Sequence, residues 1–110
     1  MRLGIRRSSI EIIADILRLL RLGETGKTEI MYNCNLSYNL TQKYIIKMLE
    51  LDLLDQLSQD TGLVTFRVTR KGLHLLTAME NMQEMLHLEA LHLISHSPKI
   101  AKISTRSSHT

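Results

Sequence analysis

The chain of 110 residues has no tryptophan, one phenylalanine, one proline and one cysteine. Each scarcity removes options. A single cysteine cannot form an intramolecular disulfide, and a reducing compartment is the simple reading. Cys34 follows Met31 and Tyr32 in a helical stretch, which makes it a small core residue rather than a nucleophile. With aromatics rare, aliphatic side chains must carry the core. No apolar run approaches the roughly 20 residues that a membrane span needs. The opening MRLGIRRSSIEIIADILRLL has a faint likeness to a signal peptide, but Glu11, Asp15 and Arg18 interrupt it. It reads as an amphipathic helix instead, in a cytoplasmic protein. Enzyme motifs are missing too: there is no G-x-G-x-x-G, no P-loop, no G-x-S-x-G and no paired cysteines. Ser8-Ser9 and Ser107-Ser108 have no evident base partner. Neither catalysis, a cofactor nor a small-molecule substrate is expected.

No charge of one sign dominates. Fourteen Lys and Arg stand against eleven Asp and Glu, a net charge of +3. This balance permits nucleic-acid binding without requiring it. The distribution is more telling. Arg2, Arg6 and Arg7 lie at the start, and Lys99, Lys102 and Arg106 lie beyond Glu89, the last acidic residue. Basic ends are common on small DNA binders and occur equally as solvated tails.

What is present is a succession of short amphipathic elements. Ser8 with Glu11 forms a capping box, and Ile10, Ile13, Ile16, Leu17 and Leu20 recur at helical spacing. Gly23 and Gly26 open a loop, and Thr28 is the N-cap expected for a short second helix to about Cys34. Asn35 tolerates the left-handed conformation at a helix end, and Ser37 suits the next N-cap. The third helix runs from about Tyr38 to Leu51. Thr41, Ile45 and Met48 share one side of it, with Tyr44 at the margin. Asn39, Gln42, Lys43, Lys47 and Glu50 share the other. Leu53–Ser58 and Leu63–Thr69 read as strands around an Asp60-Thr61-Gly62 turn. Val64, Phe66 and Val68 alternate there with Thr65, Arg67 and Thr69. Helix, turn, helix and hairpin is the order of a winged helix-turn-helix, so the expected fold is mainly α with a two-stranded wing.

In such a unit the second helix of the pair lies in a DNA major groove. Asn39 and Gln42 have the chemistry to pair with adenine, and Lys43 and Lys47 to reach guanine or phosphate. Thr28, Ser37 and Tyr38 are candidate phosphate contacts at helix starts, with Arg67 on the hairpin and Arg6 and Arg7 at the N-terminus. The alternative is an ordinary solvated helix face. Asp60 at the hairpin tip would repel phosphate, so the wing reads as largely structural.

From Thr69 a long helix is expected up to Pro98, about 40 Å at 1.5 Å per residue. Leu73 and Leu76 are placed to pack back on the domain. Leu75, Met79, Met82, Leu86, Ala90 and Leu93 form a stripe that must be buried against something, with a second copy as the expected partner. Met85, Leu88, Leu91 and Ile94 add apolar surface to the far half. His87, His92 and His96 gather on this helix. Glu89, His92 and His96 have a spacing that permits zinc only with ligands from a partner helix, and a structural or solvent-facing role is favoured. The organisation is thus a winged helix-turn-helix over residues 8–72, a dimerisation helix over 73–97 and a flexible basic tail over 98–110.

Lys27-Thr28-Glu29-Ile30-Met31-Tyr32, then Asn35-Leu36-Ser37-Tyr38, Lys43-Tyr44-Ile45 and the closing Phe66-x-x-Thr69-x-Lys71-Gly72-x-x-x-Leu76 resemble a family of archaeal winged-helix proteins. Its best-known members are Sulfolobus chromatin-type proteins that dimerise through an antiparallel coiled coil, and others are described as predicted transcriptional regulators. The resemblance spans roughly residues 9–93. It implies double-stranded DNA as partner, contact through the third helix, a homodimer, an archaeal source and a place in the nucleoid. Two positions depart from the family pattern. Asp52 stands where a turn glycine is usual, and Thr41 stands where an apolar residue is usual, with Leu40 beside it in place of a polar one. A winged helix that binds another protein through its long helix is the rival reading.

Overall fold

The computed structural model describes residues 7–96, with side chains through Glu89. Two compact units meet in the chain at Thr77 and Ala78. The elements are α1 (Ser9–Leu22), β1 (Thr25–Gly26), α2 (Lys27–Asn33), α3 (Tyr38–Glu50), β2 (Leu54–Ser58), β3 (Val64–Val68) and α4 (Arg70–His96).

Helix α1 begins where the capping box places it. The Ser8 hydroxyl accepts from the Glu11 amide, and the Glu11 carboxylate accepts from the Ser8 amide at 2.8 Å. Its inward face keeps Ile16, Leu17 and Leu20 of the expected one, with Ile13 half-buried. Ile12, Ala14, Ile16, Leu17 and Leu20 are buried, while Ile10 is exposed. Ile12 and Ala14 widen this stripe on its two sides, and α1 packs on β3 and α2. Ser9 bonds the Tyr44 hydroxyl at 2.7 Å, which satisfies the polar tip of an otherwise buried ring.

The sheet has three strands in the order β1-β3-β2, not two. Thr25 and Gly26 pair antiparallel with Phe66 and Thr65. Two residues are too few to show a strand period, so this edge read as loop. It has two consequences. Thr65 is buried along with Phe66, and its hydroxyl donates to the Glu24 carboxylate. The alternation in β3 therefore fails at Thr65, and Val64 is the exposed neighbour. The strand also runs straight into α2, whose N-cap is Gly26 without any side-chain bond, rather than Thr28. The β2-β3 hairpin pairs Leu54 with Val68 through Ser58 with Val64. Gly62, at φ +90°, closes the three-residue tip, and its amide donates to the Gln59 carbonyl.

Helices α2 and α3 end in the same way. The Asn35 amide donates to the Tyr32 carbonyl and the Leu36 amide to that of Met31. At the next end Asp52 donates to Leu49 and Leu53 to Met48. Both are Schellman motifs, with a left-handed residue followed by a buried leucine. Asn35 has φ +55° and Asp52 φ +62°, and both Leu36 and Leu53 are buried. A short polar residue thus holds the position that glycine would take with less strain.

Thr69 caps α4 and ties it to the sheet. Its hydroxyl accepts from the Gly72 amide at 2.9 Å and donates to the Asp52 carbonyl at 2.7 Å, and its own amide donates to the Leu53 carbonyl. Gly72 is buried, and a Cβ there would collide with the Leu53 carbonyl oxygen and lie 2.8 Å from the Val68 methyl. Glycine permits this close approach. Leu76 is fully buried, whereas Leu73 is exposed rather than packed back. Met82, Met85, Leu86 and Leu88 are exposed on the outer half.

Candidate nucleic-acid interface

The turn between α2 and α3 is held by three side chains. Ser37 caps α3, its hydroxyl accepting from the Leu40 amide at 3.1 Å. Thr41 is fully buried, and its hydroxyl donates to the Ser37 carbonyl at 2.8 Å. A threonine can replace the usual apolar residue there because its one polar group is satisfied locally. Arg7 reaches in from the chain before α1. Its guanidinium donates to the carbonyls of Cys34 at 2.7 Å and Asn35 at 3.1 Å, and pairs with Asp15 at 2.6 Å. A cation at the negative end of α2 is favoured by the helix dipole as well as by these bonds. Arg7, expected to meet phosphate, is thus a strut of the turn. Arg6 lies outside the described residues.

Burial raises the Cys34 thiol from its ordinary 9.0 to about 11, with Asp15 adding to the rise and Arg7 opposing it. The group is buried and neutral at physiological pH, which suits a core residue and not a nucleophile.

Helix α3 turns Thr41, Tyr44, Ile45 and Met48 inward and leaves Asn39, Lys43, Lys47 and Glu50 exposed. The two faces separate as the sequence pattern indicates, with Tyr44 in the core rather than at its margin. Gln42 is half-buried because the Lys27 ammonium, at the start of α2, donates to its side-chain oxygen at 2.5 Å. The same ammonium stands 5.1 Å from the Tyr38 ring centroid. Lys27 therefore links the first turn of α2 to the first turns of α3, with Thr28 exposed beside it. Lys43 lies 5.7 Å from the Tyr44 ring and extends over the helix surface. This arrangement offers hydrogen-bond donors, two exposed lysines and a tyrosine on the outward ridge of α3.

On the hairpin Arg67 faces Asp55 across the strands, 3.8 Å apart. Both side chains are at least half exposed, so the pair is loose and worth little. Asp60 is exposed at the tip. The wing therefore has one weakly engaged cation and two exposed carboxylates to present.

Of the expected dimer stripe, Met79 is 6% exposed within a single chain and Leu75 is half-buried, so neither is a free surface. Met82 and Leu86 are free. The side chains of Ala90, Leu93, His92 and His96 lie outside the described residues, as do the tail residues 98–110. Among the described residues no three His, Cys, Asp or Glu come together as a metal site. Nor is any described helix long and apolar enough to cross a membrane.

Two features of the ridge escaped the sequence pattern. Lys27 was part of a motif but had no assigned role, because its partner Gln42 is fifteen residues away. Ile46 is 46% exposed within the polar face of α3. The wheel that defines that face would have shown it.

Three helices, a turn stapled at both ends and a three-stranded sheet with its hairpin define a winged helix-turn-helix. A model of the winged helix-turn-helix family matches residues 6–87, and the chain belongs to that family. No curated protein matches it in sequence. Among solved structures, it is similar to Sso10a-2, a DNA-binding protein from Sulfolobus solfataricus. That likeness has 22% identity and a TM-score of 0.69, over 92% of this chain and 100% of the other. A transcriptional regulator from Clostridium thermocellum is 14% identical with a TM-score of 0.69, over 83% of this chain and 100% of the other. The transcriptional regulator BldR from Sulfolobus solfataricus is 13% identical with a TM-score of 0.68, over 84% of this chain and 68% of the other. At these identities the shared property is the fold.

Proposed function

We propose that the protein is a DNA-binding regulator that sets α3 in the major groove of duplex DNA. The observation that carries this reading is the exposed ridge of Asn39, Lys43 and Lys47 on a helix whose start is fixed by Ser37, Thr41 and Lys27. Asn39 and Gln42 supply base readout, with Gln42 oriented by Lys27. Lys43 and Lys47 supply phosphate contacts, joined by Thr28, Ser37 and Tyr38 at the helix starts and by Arg67 at the wing. Solved transcriptional regulators with this fold support the reading. A net charge of +3 is small for a protein that coats DNA regardless of sequence, which favours regulation over a general chromatin role.

The proposal includes a homodimer through α4. Met82, Met85 and Leu86 are apolar and exposed, with Met85 and Leu86 three and four residues after Met82 and so on one side of the helix, and Leu88 is exposed on another side. A coiled-coil pairing there would hold two copies of α3 at a fixed separation and so set half-site spacing. The antiparallel pairing, an archaeal source and a nucleoid location rest on the family resemblance of the Lys27–Tyr32 and Asn35–Tyr38 segments.

The test is duplex binding measured against salt concentration. A steep loss of affinity with salt is expected, and Lys43→Ala with Lys47→Ala should weaken binding to every sequence and lower the salt slope by about one each. A chain that binds no duplex even at low salt would end this reading.

A further inference from the structure

Ile46 has no role in the core of its own chain. It is 46% exposed, while its sequence neighbour Ile45 is buried at 3%. At about 100° per residue, Ile46 falls roughly 20° from Asn39 and 40° from Glu50 around the axis of α3. Its side chain therefore stands near the middle of the outward ridge. Gln42 and Glu50 lie four residues before and after it, and Lys43 and Lys47 lie about 60° and 100° round the axis from it, both on the Glu50 side. A stiff, branched, apolar group thus stands within a polar face, beside the side that carries both exposed lysines. The surroundings narrow what can cover it. A polar base edge would leave the butyl group unpaired, whereas the major groove offers one apolar feature, the C5 methyl group of thymine.

We infer that Ile46 is a specificity-determining residue that reads a thymine methyl group in the major groove. This rests on the placement of α3 proposed above. The methyl contact selects A·T over G·C at the position facing Ile46, where hydrogen-bonding side chains would read the donor and acceptor pattern instead. It also separates thymine from uracil, two bases that pair identically and differ only in this methyl.

The experiment uses the full chain and two duplexes of identical A·T-rich sequence, one with thymine and one with deoxyuridine throughout. Charge, length and minor-groove chemistry are matched. The native protein should bind the thymine duplex about fourfold more tightly for each methyl in contact. Ile46→Ala, at an exposed helical position where alanine is favourable, should bind both duplexes alike, near the native affinity for the uracil duplex. Ile46→Val should keep part of the preference. Equal native affinity for the two duplexes, with the salt dependence and the lysine effects intact, overturns this inference and leaves the DNA reading standing. A thymine preference that survives in Ile46→Ala also overturns it. Failure to bind either duplex at low salt overturns both.

Discussion

In the unit up to Thr77, Ile16, Leu17, Ile30, Met48 and Leu76 are almost wholly covered, and the buried hydroxyls of Thr41, Thr65 and Tyr44 each have a partner. On the outer half of α4, Met82, Met85, Leu86 and Leu88 are between 50% and 66% exposed, and every described side chain from Asn81 to Glu89 is exposed. The first region satisfies its own apolar surface within one chain. The second is a stretch of helix whose apolar residues lack cover among the described residues, and the proposed dimer rests on it. Stability should therefore be concentrated in the first region and association in the second.

The largest effect on that contrast should come from Gly72→Ala. The added Cβ meets the Leu53 carbonyl, a backbone atom already held by the Thr69 amide. A loss near the upper end of the usual overpacking cost, about 3 kcal/mol, is expected in urea denaturation. A loss under about 0.5 kcal/mol would show that the α4 start can shift.

Alkaline pH comes next. Cys34 has its thiol raised from 9.0 to about 11 in the folded chain, mainly by burial. The neutral thiol is the form the fold favours. Its contribution is therefore complete below pH 9 and is lost as pH rises from 9 through 11, by at most about 2–3 kcal/mol. The stability difference between the native chain and Cys34→Ala, followed from pH 8 to 11, isolates this group from other titrations. A constant difference would place the thiol in contact with solvent.

Arg7→Ala should cost about 1–2 kcal/mol, since it removes two bonds to the end of α2 and one partner of Asp15. Hydrogen exchange of the Cys34, Asn35 and Leu36 amides should quicken in the variant. Unchanged exchange would mean that Ser37 and Thr41 hold the turn without it.

The smallest effect on folding should come from the double change Met82→Glu with Leu86→Glu, within about 0.5 kcal/mol for the monomer because both sites are exposed. Sedimentation should nonetheless show a native dimer and a monomeric variant. A native chain that sediments as a monomer would remove the dimer from the proposed function.

Much of the winged helix was legible because its signals are local. The Ser8-Glu11 box, Asn35 before Ser37 and the hairpin glycine each act over three or four residues, and the expected caps and turn formed there. The two sides of α3 also followed from its period. Other features were hidden because they depend on distant partners. β1 exists only through Phe66 and Thr65, some forty residues on. Arg7 looked like a free cation until α2 ended beside it, and Lys27 acquired a role only when the turn brought Gln42 to it.

By itself the sequence determined the order of the helices and of the hairpin strands, the caps at Ser8 and Ser37 and which face of α3 is polar, since periodicity and capping are properties of neighbouring residues. Tertiary structure alone decided that Thr25 and Gly26 form a third strand, why Gly72 must lack a side chain, and that Arg7 supports the turn. Those outcomes depend on which backbone and side-chain atoms compete for the same space, and distant segments settle that competition only when they pack together.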